Sequence, residues 1–268
     1  MKNCYLYIGL FLLFGYLPVY GQEAQNIQGV EVDTVEYRFA LGVQVGTDIG
    51  GAVPVPFKYI PETFNPYPRL NLSLGAKFSF PVTSRWILGT EFTYKTITMN
   101  ADARVENQKY QDGNMIQYFS GSTEMHMDFT MLEIPVYAKY SLRNLKDRLL
   151  IGPYFAWVLK SSFVIDPEKG YVGITGPDKV DSVMDEDMSD MDFSSYMDMW
   201  DIGLLLGYER KLTRRFELGI RFSMGFKDIF KKDNQYFDYH MLHMRGTLVV
   251  SYNLFDIKPP RLLHLNRK

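Results

Sequence analysis

The residues best suited to catalysis or metal binding are few in this 268-residue chain, and their spacing keeps them apart. The histidines are His126, His240, His243 and His264. His240 and His243 are an odd number of positions apart, so on a strand they face opposite ways and cannot easily share a metal. His126, with Asp128 two positions on, would form a single weak acid–base pair near the outer end of its strand. A hydrolase needs a nucleophile held against such a pair, and no candidate suggests itself. The one cysteine, Cys4, precedes an apolar run and would be lost with it, leaving no thiol for disulfides, nucleophilic attack or metal ligation. No catalytic, cofactor-binding or metal-ligating residue is therefore expected, and no enzyme.

Carboxylates cluster once. Asp181, Asp185, Glu186, Asp187, Asp190, Asp192 and Asp198 are interleaved with Met184, Met188, Met191, Met197 and Met199. Calcium takes many oxygen ligands, but Asp190 stands where an EF-hand loop requires glycine. A solvated acidic loop is the plainer reading, with methionines that could adapt to a protein partner. A second loop, Val53-Pro54-Val55-Pro56-Phe57 with Pro61, Pro66 and Pro68, should be stiff and extended.

The elements that must carry these residues are strands. Leu70, Leu72, Leu74, Ala76, Phe78 and Phe80 alternate with Asn71, Ser73, Gly75, Lys77 and Ser79, which gives a strand one apolar and one polar face. Seven further segments read the same way, with apolar faces beginning near Tyr37, Trp86, Leu132, Leu149, Trp200, Phe216 and Leu242. Short joins at 81–84, 143–147 and 212–214 alternate with long ones at roughly 47–68, 99–122, 162–198 and 228–238. Outer-membrane barrels show this alternation, because their periplasmic turns are short and their extracellular loops long.

The predicted fold is all-β: an eight-stranded antiparallel transmembrane β-barrel with short periplasmic turns and long extracellular loops. A soluble eight-stranded barrel of the lipocalin kind shares the period. It would however need a charged, solvated face where this chain places Gly42, Gly75, Gly89, Gly203, Gly207, Gly219 and Gly225. Small residues suit the inside of a narrow barrel. An aromatic share of 15% suits lipid contact, and a net charge of −2 argues against a nucleic-acid partner.

Lining that interior would be Arg38, Arg69, Lys77, Lys95, Lys139, Arg221 and Arg245, with Glu91, Glu133, Asp201, Glu209 and Glu217. Buried charge is costly unless paired, and the two sets are close to balanced. A lumenal ion-pair network that plugs the barrel and fixes its register is the economical expectation, and a substrate channel is the sharper alternative.

Three segments carry a family resemblance. Met131-Leu132-Glu133-Ile134-Pro135-Val136-Tyr137-Ala138-Lys139-Tyr140, Ile151-Gly152-Pro153-Tyr154-Phe155 and Asp201-Ile202-Gly203-Leu204-Leu205-Leu206-Gly207-Tyr208-Glu209 resemble the outer-membrane β-barrel domain proteins of Bacteroidetes called PorT-like. The resemblance covers about residues 35–255 and implies the barrel fold. Through the family's namesake it also implies a type IX secretion accessory role, while most relatives have no assigned role. The expected organisation is a signal peptide over 1–21, with Lys2 ahead of an apolar run. A periplasmic lead over 22–34, the barrel over 35–255 and a basic tail over 256–268 would follow. The expected surroundings are outer-membrane lipid and an envelope protein partner, with a structural or interaction role; a small porin or ligand carrier, and then a surface enzyme, remain alternatives.

Overall fold

Period-two alternation becomes strand at all eight expected places. The computed structural model describes residues 39–60, 64–83, 85–112, 115–183 and 190–257. Its long strands are β1 (Phe39–Val55), β2 (Asn71–Pro81), β3 (Trp86–Asp112) and β4 (Met115–Ser141), followed by β5 (Asp147–Gly173), β6 (Trp200–Lys211), β7 (Phe216–Asp228) and β8 (His240–Ile257). Each is antiparallel to its neighbour in sequence, and β1 pairs with β8 from Phe39↔Ile257 to Val55↔His240, so the sheet closes into a ring of eight strands. Closure leaves no edge in the lipid, where an unpaired backbone group has no water to bond. The last strand runs to Ile257, two residues beyond the expected end at 255. The proposed signal peptide, the whole of the proposed lead and residues 258–268 of the tail lie outside the described residues.

The outward face is apolar as expected. Val45, Leu74, Phe92, Val136, Phe155 and Ile220 are all exposed on the barrel wall. Glycine belongs to the opposite face: a Cβ on Gly89 would stand 2.3 Å from the ring of the buried Tyr137.

The long joins differ from expectation. Residues 99–122, read as loop, are almost entirely strand, because β3 and β4 are 27 residues each, β3 running to Asp112 and β4 starting at Met115. Likewise 162–173 continues β5, also 27 residues, and 47–55 continues β1. A tilted membrane strand needs only about 9–11 residues, so these strands project far outside the bilayer. The proline-rich loop is partly as expected: its Asn65–Pro68 lies extended along β3 at Met99–Asp102. Two-residue strands at Ser182–Val183 and Met191–Asp192 flank β5 in the same way.

The physical reason is a reversal of polarity at one level. On β3 and β4 the outward face is apolar up to Tyr94 and Leu132; beyond, it carries Thr96, Thr98, Asp102, Thr130, Asp128, His126 and Glu124. The inward face changes the opposite way, from Lys95 and Glu133 to Ile97, Met99, Met131 and Phe129, all buried. Thr96 pairs with Thr130, and Thr130 with Lys160, so the three strands switch together. In β3 and β4 the hydrophobic pattern slips by one residue while the strand stays in register. In β5 the pattern keeps its phase and the chain slips instead: Leu159 is the extra residue of a bulge, after which Phe163 and Ile165 point inward. Such a bulge turns every later side chain to the other face.

Above this level Ala52, Ile97, Met127, Phe129, Phe163 and Ile165 form a buried apolar core. The last two outer loops close it: Phe193, Phe230 and Phe237 pack on Phe163 with ring centroids 5.6–5.9 Å away. Adding one methyl at Gly89 tests the tightness of the lower interior. Gly89→Ala should destabilise the barrel by about 1–3 kcal/mol in urea titrations from lipid vesicles. Combined with Tyr137→Leu, it should cost clearly less than the two single penalties added together.

Candidate functional site

The interior of the membrane-spanning part is built from charge. Ten of the twelve expected lumenal residues are buried there: Lys77, Glu91, Lys95, Glu133, Lys139, Asp201, Glu209, Glu217, Arg221 and Arg245, none more than 6% exposed. Arg69 is a correction. It is exposed, because β2 begins only at Asn71 and Arg69 stands ahead of the ladder with the right parity but no wall beside it. Arg38 lies outside the described residues.

Near the periplasmic end Lys77 pairs with Glu217, and Arg148 reaches both Glu217 at 2.9 Å and Glu209 at 3.4 Å. Lys139 donates to both oxygens of Glu209, at 2.9 and 3.0 Å. One level up, the Arg221 guanidinium forks onto Glu91 at 2.5 and 2.8 Å, the geometry that planar guanidinium and carboxylate groups favour. Tyr137 and Gln44 also donate to Glu91. Higher again, Lys95 bridges Asp48 at 3.1 Å and Glu133 at 2.9 Å, while Arg245 donates to Glu133 at 2.7 Å. Thr247 donates to Asp48 at 2.6 Å and Tyr154 to Asp201 at 2.7 Å. His243, buried and edge-on to Phe129 at 4.6 Å, marks where charge gives way to the apolar core.

Several members escaped the sequence reading. Asp48 shares the even, inward parity of Gly42 and Gln44 but fell in a segment read as loop. Arg148 shares the parity of the buried Leu150 and Tyr154 but fell between the turn at 143–147 and the strand face read from Leu149. Following each alternation one or two residues further would have found both.

A family model described as outer membrane protein beta-barrel domain matches residues 22–231. The chain belongs to this family. It is an outer-membrane protein, and no curated protein sequence matches it. Among solved structures it is similar to Ail, the attachment invasion locus protein of Yersinia pestis, at 8% identity and a TM-score of 0.35, over 81% of this chain and 98% of that one. It is similar to Neisserial surface protein A at 11% identity and a TM-score of 0.36, over 80% and 96%. OprG from Pseudomonas aeruginosa gives 10% identity and a TM-score of 0.28, over 81% and 95%.

In this member of the family the remaining candidates lie outside the lipid. His126 lies well inside β4, on the water-facing side of the projecting sheet, where its Nε2 is 3.0 Å from Asp166 and 3.6 Å from Glu124. Its expected partner Asp128 instead accepts from the Thr98 hydroxyl at 2.5 Å. Burial, and then the neighbouring Asp190 carboxylate, hold the Asp166 carboxyl above its ordinary range. His240 and His243 do face opposite ways: His240 is exposed and bonded to Asp228 at 2.7 Å.

The acidic loop is dispersed where it is described. Asp181 accepts from the backbone and hydroxyl of Thr175 and from the backbone of Ile174, which hold it below the usual carboxylate range. Asp192 accepts from the Ser194 backbone, and Asp198 pairs with Lys227. Residues 184–189, with Asp185, Glu186 and Asp187, lie outside the described residues.

Pairing in the lumen has a measurable signature. Arg221→Met leaves the buried Glu91 without its counter-ion and should cost about 3–5 kcal/mol in urea titrations of the reconstituted barrel. Adding Glu91→Gln, which keeps an acceptor for Tyr137, should recover most of that loss.

Proposed function

We propose that this protein is a non-conducting, non-enzymatic barrel that anchors a rigid β-extension outside the membrane for contact with an envelope partner. One observation carries the reading: the lumen is filled with interlocked ion pairs through its membrane-spanning height and is capped above by an apolar core. A solute entering from outside would have to part the aromatic cluster and then break buried charge pairs. Neither step suits a passive pore. The outer parts of the three 27-residue strands, by contrast, exceed what membrane spanning needs and hold a polar surface away from the bilayer.

The PorT-like relationship belongs to this proposal, together with the Bacteroidetes source it implies and an export signal at 1–21. The two resembling segments of β4 and β5 lie side by side, with Pro135 opposite Tyr154 and the Pro135 carbonyl accepting from Thr90. They therefore form one patch of wall, which supports a shared fold more directly than a shared secretion role.

Purified barrel in planar bilayers should show no sustained open-channel current, and such currents would defeat the plugged reading. Replacing residues 103–121 with a two-residue turn should leave a folded barrel but abolish cross-linking to envelope proteins in intact outer membranes. Unchanged cross-linking would remove the extension from the proposal.

A further inference from the structure

The periplasmic end carries a repeated surface feature that neither the plugged lumen nor the outer extension uses. Each short turn presents one exposed aliphatic side chain beside cations. In the first turn this is Val82 with Arg85, and in the second Leu145 with Arg143 and Lys146. In the third it is Leu212 with Arg214 and Arg215, flanked by Arg210 and Lys211 at the end of β6. Residues 82–85, 142–147 and 210–215 thus hold seven cations and one carboxylate, Asp147, in a chain whose net charge is −2. That carboxylate is already engaged, accepting from the Tyr208 hydroxyl at 2.5 Å.

Two of the guanidinium groups are tied to aromatic residues on the lipid-facing wall. Arg85 donates to the Tyr140 hydroxyl at 3.3 Å, and Trp86 packs on the same ring at 4.9 Å. Arg215 donates to the Tyr252 hydroxyl at 2.8 Å, and Phe216 packs on that ring at 4.9 Å. Both cations therefore stand at the rim of the lipid-facing surface, at the level where interfacial aromatic residues sit.

We infer that the periplasmic turns form a docking ring for anionic phospholipid headgroups of the inner leaflet. The occupant follows from three features taken together. Exposed Arg143, Lys146 and Arg214 suit an anion, and the one carboxylate of these segments, Asp147, is already taken by Tyr208 and Arg210. The exposed Val82, Leu145 and Leu212 suit an apolar neighbour within reach of the same turns. The unit recurs at every short turn, between β2 and β3, β4 and β5, and β6 and β7, so it follows the barrel perimeter. A leaflet of phosphate headgroups over acyl chains meets all three, whereas a single acidic protein would engage one side of the ring. Long cationic side chains suit this position, because their stems can lie on apolar surface while the charge reaches the phosphates.

The test uses the full barrel in nanodiscs of phosphatidylcholine with 30% phosphatidylglycerol. Lipid retained on the protein after extraction would be measured by native mass spectrometry. Wild-type protein should retain phosphatidylglycerol well above its share of the mixture. Arg143→Gln, Lys146→Gln and Arg214→Gln lie in the turns, outside the strands, and each should weaken that preference by up to about fivefold. A control pair on the outer side, Lys160→Gln with Lys179→Gln, should leave it unchanged. The triple turn variant should still unfold in urea like wild type in pure phosphatidylcholine, which separates lipid selection from misfolding. Retention in simple proportion to the mixture would overturn the inference, as would equal loss in the outer control. So would a ring that binds soluble polyglutamate in detergent while ignoring vesicle composition, since that result assigns it to an acidic partner.

Discussion

The governing constraint is that β3, β4 and β5 each cross from lipid into water without interrupting the backbone. In lipid the outward face must be apolar and the enclosed face is free to be polar. In water the requirement reverses, because only the enclosed side can hide apolar area. Period-two geometry offers two ways to obey both rules along one strand: change the sequence phase, or change the chain phase. β3 and β4 do the first, between Tyr94 and Ile97 and between Met131 and Leu132. β5 does the second, with its bulge at Leu159. Because the switch falls at paired residues Thr96, Thr130 and Lys160, these three strands present one level boundary to the bilayer.

Below that boundary the interior could have been apolar too, but such a wall would have two faces of similar character. A one-residue slip would then cost little, since exchanging inward and outward residues would leave hydrophobic groups in lipid either way. Charge makes the faces unequal. Sliding β7 by one residue would drive Arg221 and Glu217 into lipid and leave Glu91 and Lys77 unpaired inside. The six cations and six carboxylates that face the described lumen interlock across β1 to β8, so an error in one strand propagates to its neighbours. The network contributes specificity of register more than net stability, because the desolvation of each ion offsets much of its attraction.

This division explains what the sequence made legible. Strands with an apolar outer face, such as Leu72 to Phe80 or Phe216 to Phe226, followed the barrel rule and were readable. So were the inward charges between them, from Lys77 to Arg245. Residues 97–105 alternate just as strictly, with Ile97, Met99, Ala101, Ala103 and Val105, but in the opposite phase. A reading that expects one apolar face per strand takes that change of phase for the end of the strand. Asp48 and Arg148 were missed for a related reason: each lies a residue or two beyond a boundary drawn where apolar residues became sparse. The aromatic closure by Phe193, Phe230 and Phe237 was not readable, since loop residues carry no period from which their direction could follow.

The outer core also depends on the order in which the ring is completed. Its walls come from β1, β3, β4 and β5, but Phe230, Tyr236, Phe237 and Met241 come from the last loop and from β8. Met241 stands opposite Pro54 in the β1–β8 ladder, so it reaches its place only when that seam closes. Until then Ile97, Met127 and Phe163 would face water on the open side of a three-stranded sheet. Contacts between chain segments this distant form late, because their loop closure must precede any gain from burial. Closing the barrel in lipid and burying the core in water are therefore one event seen from two solvents. The seam that removes the last free edge from the membrane also delivers the residues that dry the extension above it.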